Sequence, residues 1–149
     1  MNVRALAAFF LPVVVLTSAC AGASPAVSEP VGSPSESAVP SSRTSEAGQV
    51  TAVVSWSGPD SGAVFDVSLD THSVDLDALD LSDAVLRNDR GDTMVARPWA
   101  APKGGHHREG NLAFSGDAAA FFAGANWVEL TLTGVGDLPE RTLRWEIGS

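Results

Sequence analysis

Cysteine is almost absent from this chain. Cys20 is the only one among 149 residues, so no intramolecular disulfide can form. Histidine is scarce as well, with three copies at positions 72, 106 and 107. Basic residues are outnumbered two to one: 9 Lys and Arg face 18 Asp and Glu, giving a formal net charge of −9. Such a surface repels phosphate backbones and anionic head groups, which argues against nucleic acid as a partner and favours cations. The sequence contains no nucleotide-binding loop, GxSxG elbow, HExxH or CxxC. A Ser-His-Asp set can be drawn from Ser68 or Ser73, His72 and several aspartates, but nothing in the spacing specifies its geometry. The expectation is a protein that is not an enzyme. Long apolar runs are missing too. "ALAAFFLPVVVL", Ala5 to Leu16, is twelve residues, which gives only ~18 Å of helix against the ~30 Å hydrocarbon core of a bilayer.

What is present at the start is a secretory layout. "MNVR" carries one positive charge, the apolar run follows, and "TSAC" closes it with small residues. A signal peptide over 1–19 is the expectation. The segment "LTSAC" resembles the lipobox of bacterial lipoproteins, with Ala19 and Ser18 matching and Thr17 standing where that family more often has leucine. The resemblance implies that Cys20 is lipidated and becomes the first residue of the mature chain. The protein would then sit at the cell membrane through its lipid anchor, with its domain on the extracytoplasmic side. Each buried CH₂ of an acyl chain contributes ~0.8 kcal/mol, so two or more chains anchor stably. The alternative is an ordinary signal peptide with a chance cysteine at the cut.

From Ala21 to Gln49 the composition is Ser, Pro, Ala, Glu and Gly, with no aromatic residue and only scattered valines. Too little apolar surface is available to offset ordering entropy, so 20–49 is expected to be the lipidated cysteine followed by a disordered tether. That leaves 50–149 as one domain, which holds all four tryptophans.

Within the domain the apolar period is two. "AVFDVSLD" turns Ala63, Phe65, Val67 and Leu69 inward; "NWVELTLTG" turns in Val128, Leu130 and Leu132; "RTLRWEI" turns in Leu143, Trp145 and Ile147. "TAVVSW", "AVLRN" (84–88), "TMVARPW" (93–99) and "NLAFSG" (111–116) add shorter strands, and "DAAAFFAG" (117–124) reads as a helical turn. About seven short strands separated by turns predict an all-β fold: a single antiparallel β-sandwich, immunoglobulin-like in architecture, with a small β-barrel as the alternative.

Two stretches stand out. "LDTHSVDLDALDLSDAVLRND" carries Asp70, Asp75, Asp77, Asp80, Asp83 and Asp89. Its spacing lacks the glycine and terminal glutamate of a calcium loop, and Leu76, Leu79 and Leu81 interrupt it at core-like intervals, so aspartates that cap turns are expected. "APKGGHHREG" places Gly104 and Gly105 before His106, His107 and Arg108. The glycines allow positive φ or close approach, shaping a turn that presents both histidines. Arg108 is expected to stack on a ring or bridge to an aspartate. Trp99 and Trp127 are candidate ligand platforms, though tryptophans more often cover a core.

Together "LDTHSVDLD", "VLRNDRG", "APKGGHHREGNLAF" and "PERTLRW" resemble a group of exported bacterial domains of uncharacterised function, over Phe65 to Trp145. The resemblance implies an extracytoplasmic β-domain and supplies no chemistry. Two functional readings follow. The first is a tethered, non-enzymatic binding or structural module of the cell envelope, facing a protein or a glycan. There His72 and one of the histidine pair staple loops together. The second is a Zn or Cu protein with His72, His106 and His107 as ligands, and with Asp70 or Asp75 in support.

Overall fold

In β3, Val64–Thr71, every second side chain is buried: Phe65, Val67, Leu69 and Thr71. That alternation repeats in most strands of the computed structural model, which describes residues 41–148. The expected signal peptide, Cys20 and most of the expected tether lie outside the described residues. Eight strands are present among those described. They are β1 (Ser41–Ser45), β2 (Val50–Trp56), β3, β4 (Val85–Asn88), β5 (Thr93–Val95), β6 (His107–Ala113), β7 (Trp127–Thr133) and β8 (Glu140–Glu146). A 3-10 turn, Pro59–Ser61, links β2 to β3, and the helix α1, Ala118–Phe122, links β6 to β7. Asp117 caps α1 by accepting from the Ala120 amide.

Two four-stranded antiparallel sheets form, in the orders β1-β2-β3-β6 and β5-β4-β7-β8. They face each other as a sandwich and do not close into a barrel. Strand β3 lies between β2 and β6, and β7 lies between β4 and β8. These are the neighbours that the immunoglobulin Greek key gives its second and sixth strands once β1 is counted as an addition. The inner faces meet over an aromatic centre. Phe65 lies with its ring centroid 5.3 Å from both Trp56 and Trp145, and Phe122 reaches Trp56 at 5.2 Å. Burying such rings against one another supplies the large apolar area that a domain without disulfides needs.

Three expectations are corrected. The described residues form eight strands, and the additional one, β1, falls inside the stretch read as tether, so the folded domain begins before residue 50. "SSRTS" has no apolar residue and therefore no period to read. Its order comes from the backbone ladder with β2 and from side-chain bonds to distant parts of the chain. Arg43 Nε donates to Arg144 O (2.9 Å), Trp145 Nε1 donates to Ser41 O (2.9 Å), and Arg141 Nη1 donates to Ser45 O (3.1 Å). The third sheet-forming stretch expected at 93–99 ends at Val95, where the chain crosses from one sheet to the other and makes single bridges from Ala96 to Phe114 and from Ala100 to Asn111. Strand β6 starts at His107 rather than Asn111. His107 and Arg108 therefore belong to a regular strand and point to opposite faces.

Candidate functional site

The register of β3 against β6 pairs Asp70 with His107, Leu69 with Arg108 and Ser68 with Glu109. Leu69 and Arg108 face inward; Asp70, His107 and Glu109 face solvent. Arg108 is only 6% exposed, a buried cation at the margin of the core. Its Nη1 donates to Leu76 O (2.7 Å) and Leu79 O (2.6 Å), its Nη2 to Ala101 O (2.9 Å) and its Nε to Pro102 O (3.0 Å). The guanidinium carbon lies 4.5 Å from the centre of the Trp99 ring. The expected stacking is present. The alternative, a bridge to an aspartate, is not made: the planar fork donates instead to four backbone carbonyls, three of which receive no backbone donor. Trp99 is likewise buried, with its indole N–H donating to Gly110 O (3.1 Å), so it covers the core and is not a free platform.

Asp77 supplies the complementary half. Its Oδ1 accepts from the Gly104 and Gly105 amides, both at 2.9 Å. The hydrogen bond from Gly105 leads the causes that hold this carboxyl below its ordinary value of 3.8. Gly105 has φ 63°, and a side chain on Gly104 would run into the His107 carbonyl. The two glycines thus meet the two expected needs separately, one by conformation and one by close approach. Further backbone bonds join Leu76 N to Gly105 O (2.8 Å) and Thr71 N to His106 O (3.0 Å). Buried Leu76 and Leu81 fasten the aspartate-rich crossover to the core. Two of its carboxylates turn on their own backbone as expected, Asp75 accepting from Asp77 N (2.9 Å) and Asp80 from Ser82 N (3.1 Å), whereas Asp70, Asp77 and Asp89 bond to distant segments.

The histidines divide. His106 Nδ1 bonds the Val74 carbonyl (2.9 Å), and His107 Nδ1 bonds Asp70 Oδ1 (2.6 Å). His72 is exposed just past β3, beside Asp70 in a shallow depression of about 270 Å³ that Gln49, Thr51 and Ser73 also line. The loop staple is therefore made by His106 and His107, with His72 outside it, and Arg108 and Asp77 make more of its bonds than either histidine. The carboxylates of Asp70 and Glu109 beside His107 push its imidazole above its ordinary value of 6.5, the hydrogen bond to Asp70 being the first cause. Among the described residues no three His, Cys, Asp or Glu side chains converge as a metal set, so the structure does not assemble His72, His106 and His107 around one ion.

Two features escaped the sequence reading. Asp77 appeared there only as one of a row of aspartates, and no local pattern marks it as the acceptor for a glycine pair 27 positions on. Arg141 was not singled out, although extending the inward phase of Trp145 and Leu143 by two residues lands on it. Its side chain is 3% exposed. Trp127, the other candidate platform, is partly covered by guanidinium groups, with Arg144 at 4.0 Å and Arg87 at 5.6 Å from its ring centre.

Comparison with known proteins adds no relative: no family model, curated protein or solved structure matches this chain. No helix among the described residues is long and apolar enough to cross a membrane.

Proposed function

We propose that this chain is a lipid-anchored envelope protein whose β-sandwich serves as a non-enzymatic binding or structural module on the extracytoplasmic side of the membrane. The observation that carries this reading is how the polar groups of the "GGHHR" region are used. Arg108 meets four carbonyls, Asp77 meets two amides, and both histidines have one ring nitrogen engaged. These groups hold a loop pair rigid, as a display scaffold requires. The acidic surface suits a neutral or basic envelope partner, a protein or a glycan, over phosphate-rich ones.

Cell fractionation tests the anchoring half. The wild-type chain is expected in the membrane fraction, and Cys20→Ser is expected to be released or to accumulate as an uncleaved precursor. Normal processing of Cys20→Ser with full membrane retention overturns the lipid anchor.

A further inference from the structure

The outward face of β6 carries a feature that the staple does not use. His107 and Glu109 are two apart on a regular strand and so share one face. Their side chains lean together until His107 Nε2 is 3.8 Å from Glu109 Oε2, too long for a hydrogen bond. The other ring nitrogen, Nδ1, is bound at 2.6 Å to Asp70 on the neighbouring strand. Asp70 in turn receives a long contact from Ser68 Oγ at 3.4 Å, and Ser68 is the cross-strand partner of Glu109. With Nδ1–H donated to Asp70, Nε2 carries the ring's free lone pair, and the Glu109 carboxylate lies 3.8 Å from it. A carboxylate behind an imidazole in this way fixes the tautomer, orients the ring and raises its basicity as a ligand.

We propose that His107 Nε2 and the Glu109 carboxylate form a two-ligand half-site for a borderline divalent cation, Zn(II) or Cu(II), with Asp70 as the positioning residue and water completing the coordination. A tetrahedral ion bound at ordinary Zn–N and Zn–O lengths sets its two donors about 3.3–3.4 Å apart. The observed separation of 3.8 Å needs only a small rotation of Glu109, whose side chain is 67% exposed and free to make it. Neutral imidazole with carboxylate is a donor set that suits these two ions. Two carboxylates around one imidazole also leave local negative charge for the ion to neutralise. The ligand pair differs from the three-histidine set considered from sequence, and it stands independently of the anchoring and display role proposed above.

The test uses the whole protein without a polyhistidine tag, titrated with Zn(II) by calorimetry and with Cu(II) by electron paramagnetic resonance. One ion per chain is expected. His107→Gln should abolish uptake, Glu109→Gln should weaken it about tenfold or more, and Asp70→Asn should weaken it by about 10–100-fold. His72→Ala and His106→Ala should leave it unchanged. Melting curves in a chelator establish that each variant is folded. If His107→Gln is not folded, the Cu(II) spectrum of the wild type decides, with coupling to a single imidazole expected. No uptake at millimolar zinc overturns the half-site. So do uptake retained by His107→Gln, uptake unaffected by Glu109→Gln, or coupling to two or more imidazoles.

Discussion

Arg108 on β6 and Arg141 on β8 are both buried cations that meet backbone carbonyls rather than carboxylates. Arg108 gathers its partners from the crossover after β3 and from the loop leading into its own strand. All three of its nitrogens donate, and Trp99 covers its face. Arg141 reaches 94 to 96 positions back along the chain, to Ser45 O and Oγ (both 3.1 Å) and to Ala47 O (2.7 Å), with a longer contact to Val135 O (3.4 Å). Its Nε is buried without a hydrogen-bond partner in the structure. Burial pushes the Arg141 guanidinium below its ordinary value, against the opposing charge of Asp137. Each arginine solves the same physical problem: irregular backbone pressed against a sandwich exposes carbonyls that no ladder satisfies, and a five-donor fork satisfies several at once. The difference lies in completeness. Arg108 closes a network with every nitrogen engaged, whereas Arg141 leaves its Nε unmet and adds to the ladder that holds strand β1.

That contrast predicts a ranking. Arg108→Met removes the side-chain donor from four carbonyls, of which Leu76 O alone keeps a backbone partner in Leu79 N (3.0 Å), and uncovers Trp99, so it should cost on the order of 3–5 kcal/mol in chemical denaturation. Arg108→Lys should recover only part of this, because an ammonium cannot reproduce the fork. Arg141→Met loses fewer good bonds and also relieves an unmet donor, so a smaller cost of about 1–3 kcal/mol is expected. Its signature is local: amide exchange should accelerate over 41–47 while β3 and β6 keep their protection. Equal costs for the two variants, or unchanged exchange at β1, would break the comparison.

The smallest effects separate by pH. Asp77 has its pKa lowered in the fold, so its contribution is present above its ordinary value of 3.8 and is lost as pH falls from there through the folded value. Asp77→Asn should flatten the acid limb of the stability curve. His107 has its pKa raised by Asp70, with Glu109 adding to the effect, so its contribution is present below 6.5 and is lost as pH rises through the folded value. Its side chain is 58% exposed, which makes this the weaker of the two. Thermal melts of wild type and Asp77→Asn between pH 2.5 and 5, and of wild type and His107→Gln between pH 5 and 9, check both signs. An acid limb that is identical with and without Asp77 removes it from the staple.

Much of the sandwich was legible because its inner faces are apolar and alternate. Phe65, Val67 and Leu69, Val128, Leu130 and Leu132, and Leu143 and Trp145 all occupy the buried positions that their period assigned. Strand β1 was not legible, because "SSRTS" buries nothing that a period could mark. In the site the two glycines, the stacked arginine and the turn-capping aspartates were readable from residue type. The start of β6 was not, since "HHREG" offers no apolar alternation, and that misplacement hid which way His107 and Arg108 point.

By itself, then, the sequence determined the elements whose cause is local: the period-two strands, the turns at glycine and aspartate, the acidic surface and the impossibility of an intramolecular disulfide. Tertiary structure alone decided the pairings made across distance. The β3–β6 register sets Asp70 against His107, the crossover brings Leu76 and Leu79 carbonyls onto Arg108, and the packing of β1 beside β8 gives Arg141 its partners. The physical reason is that a carbonyl left unpaired by an irregular segment has no sequence signature. Its need for a donor exists only once the chain has folded, and the arginine that meets it can lie anywhere that the fold brings close.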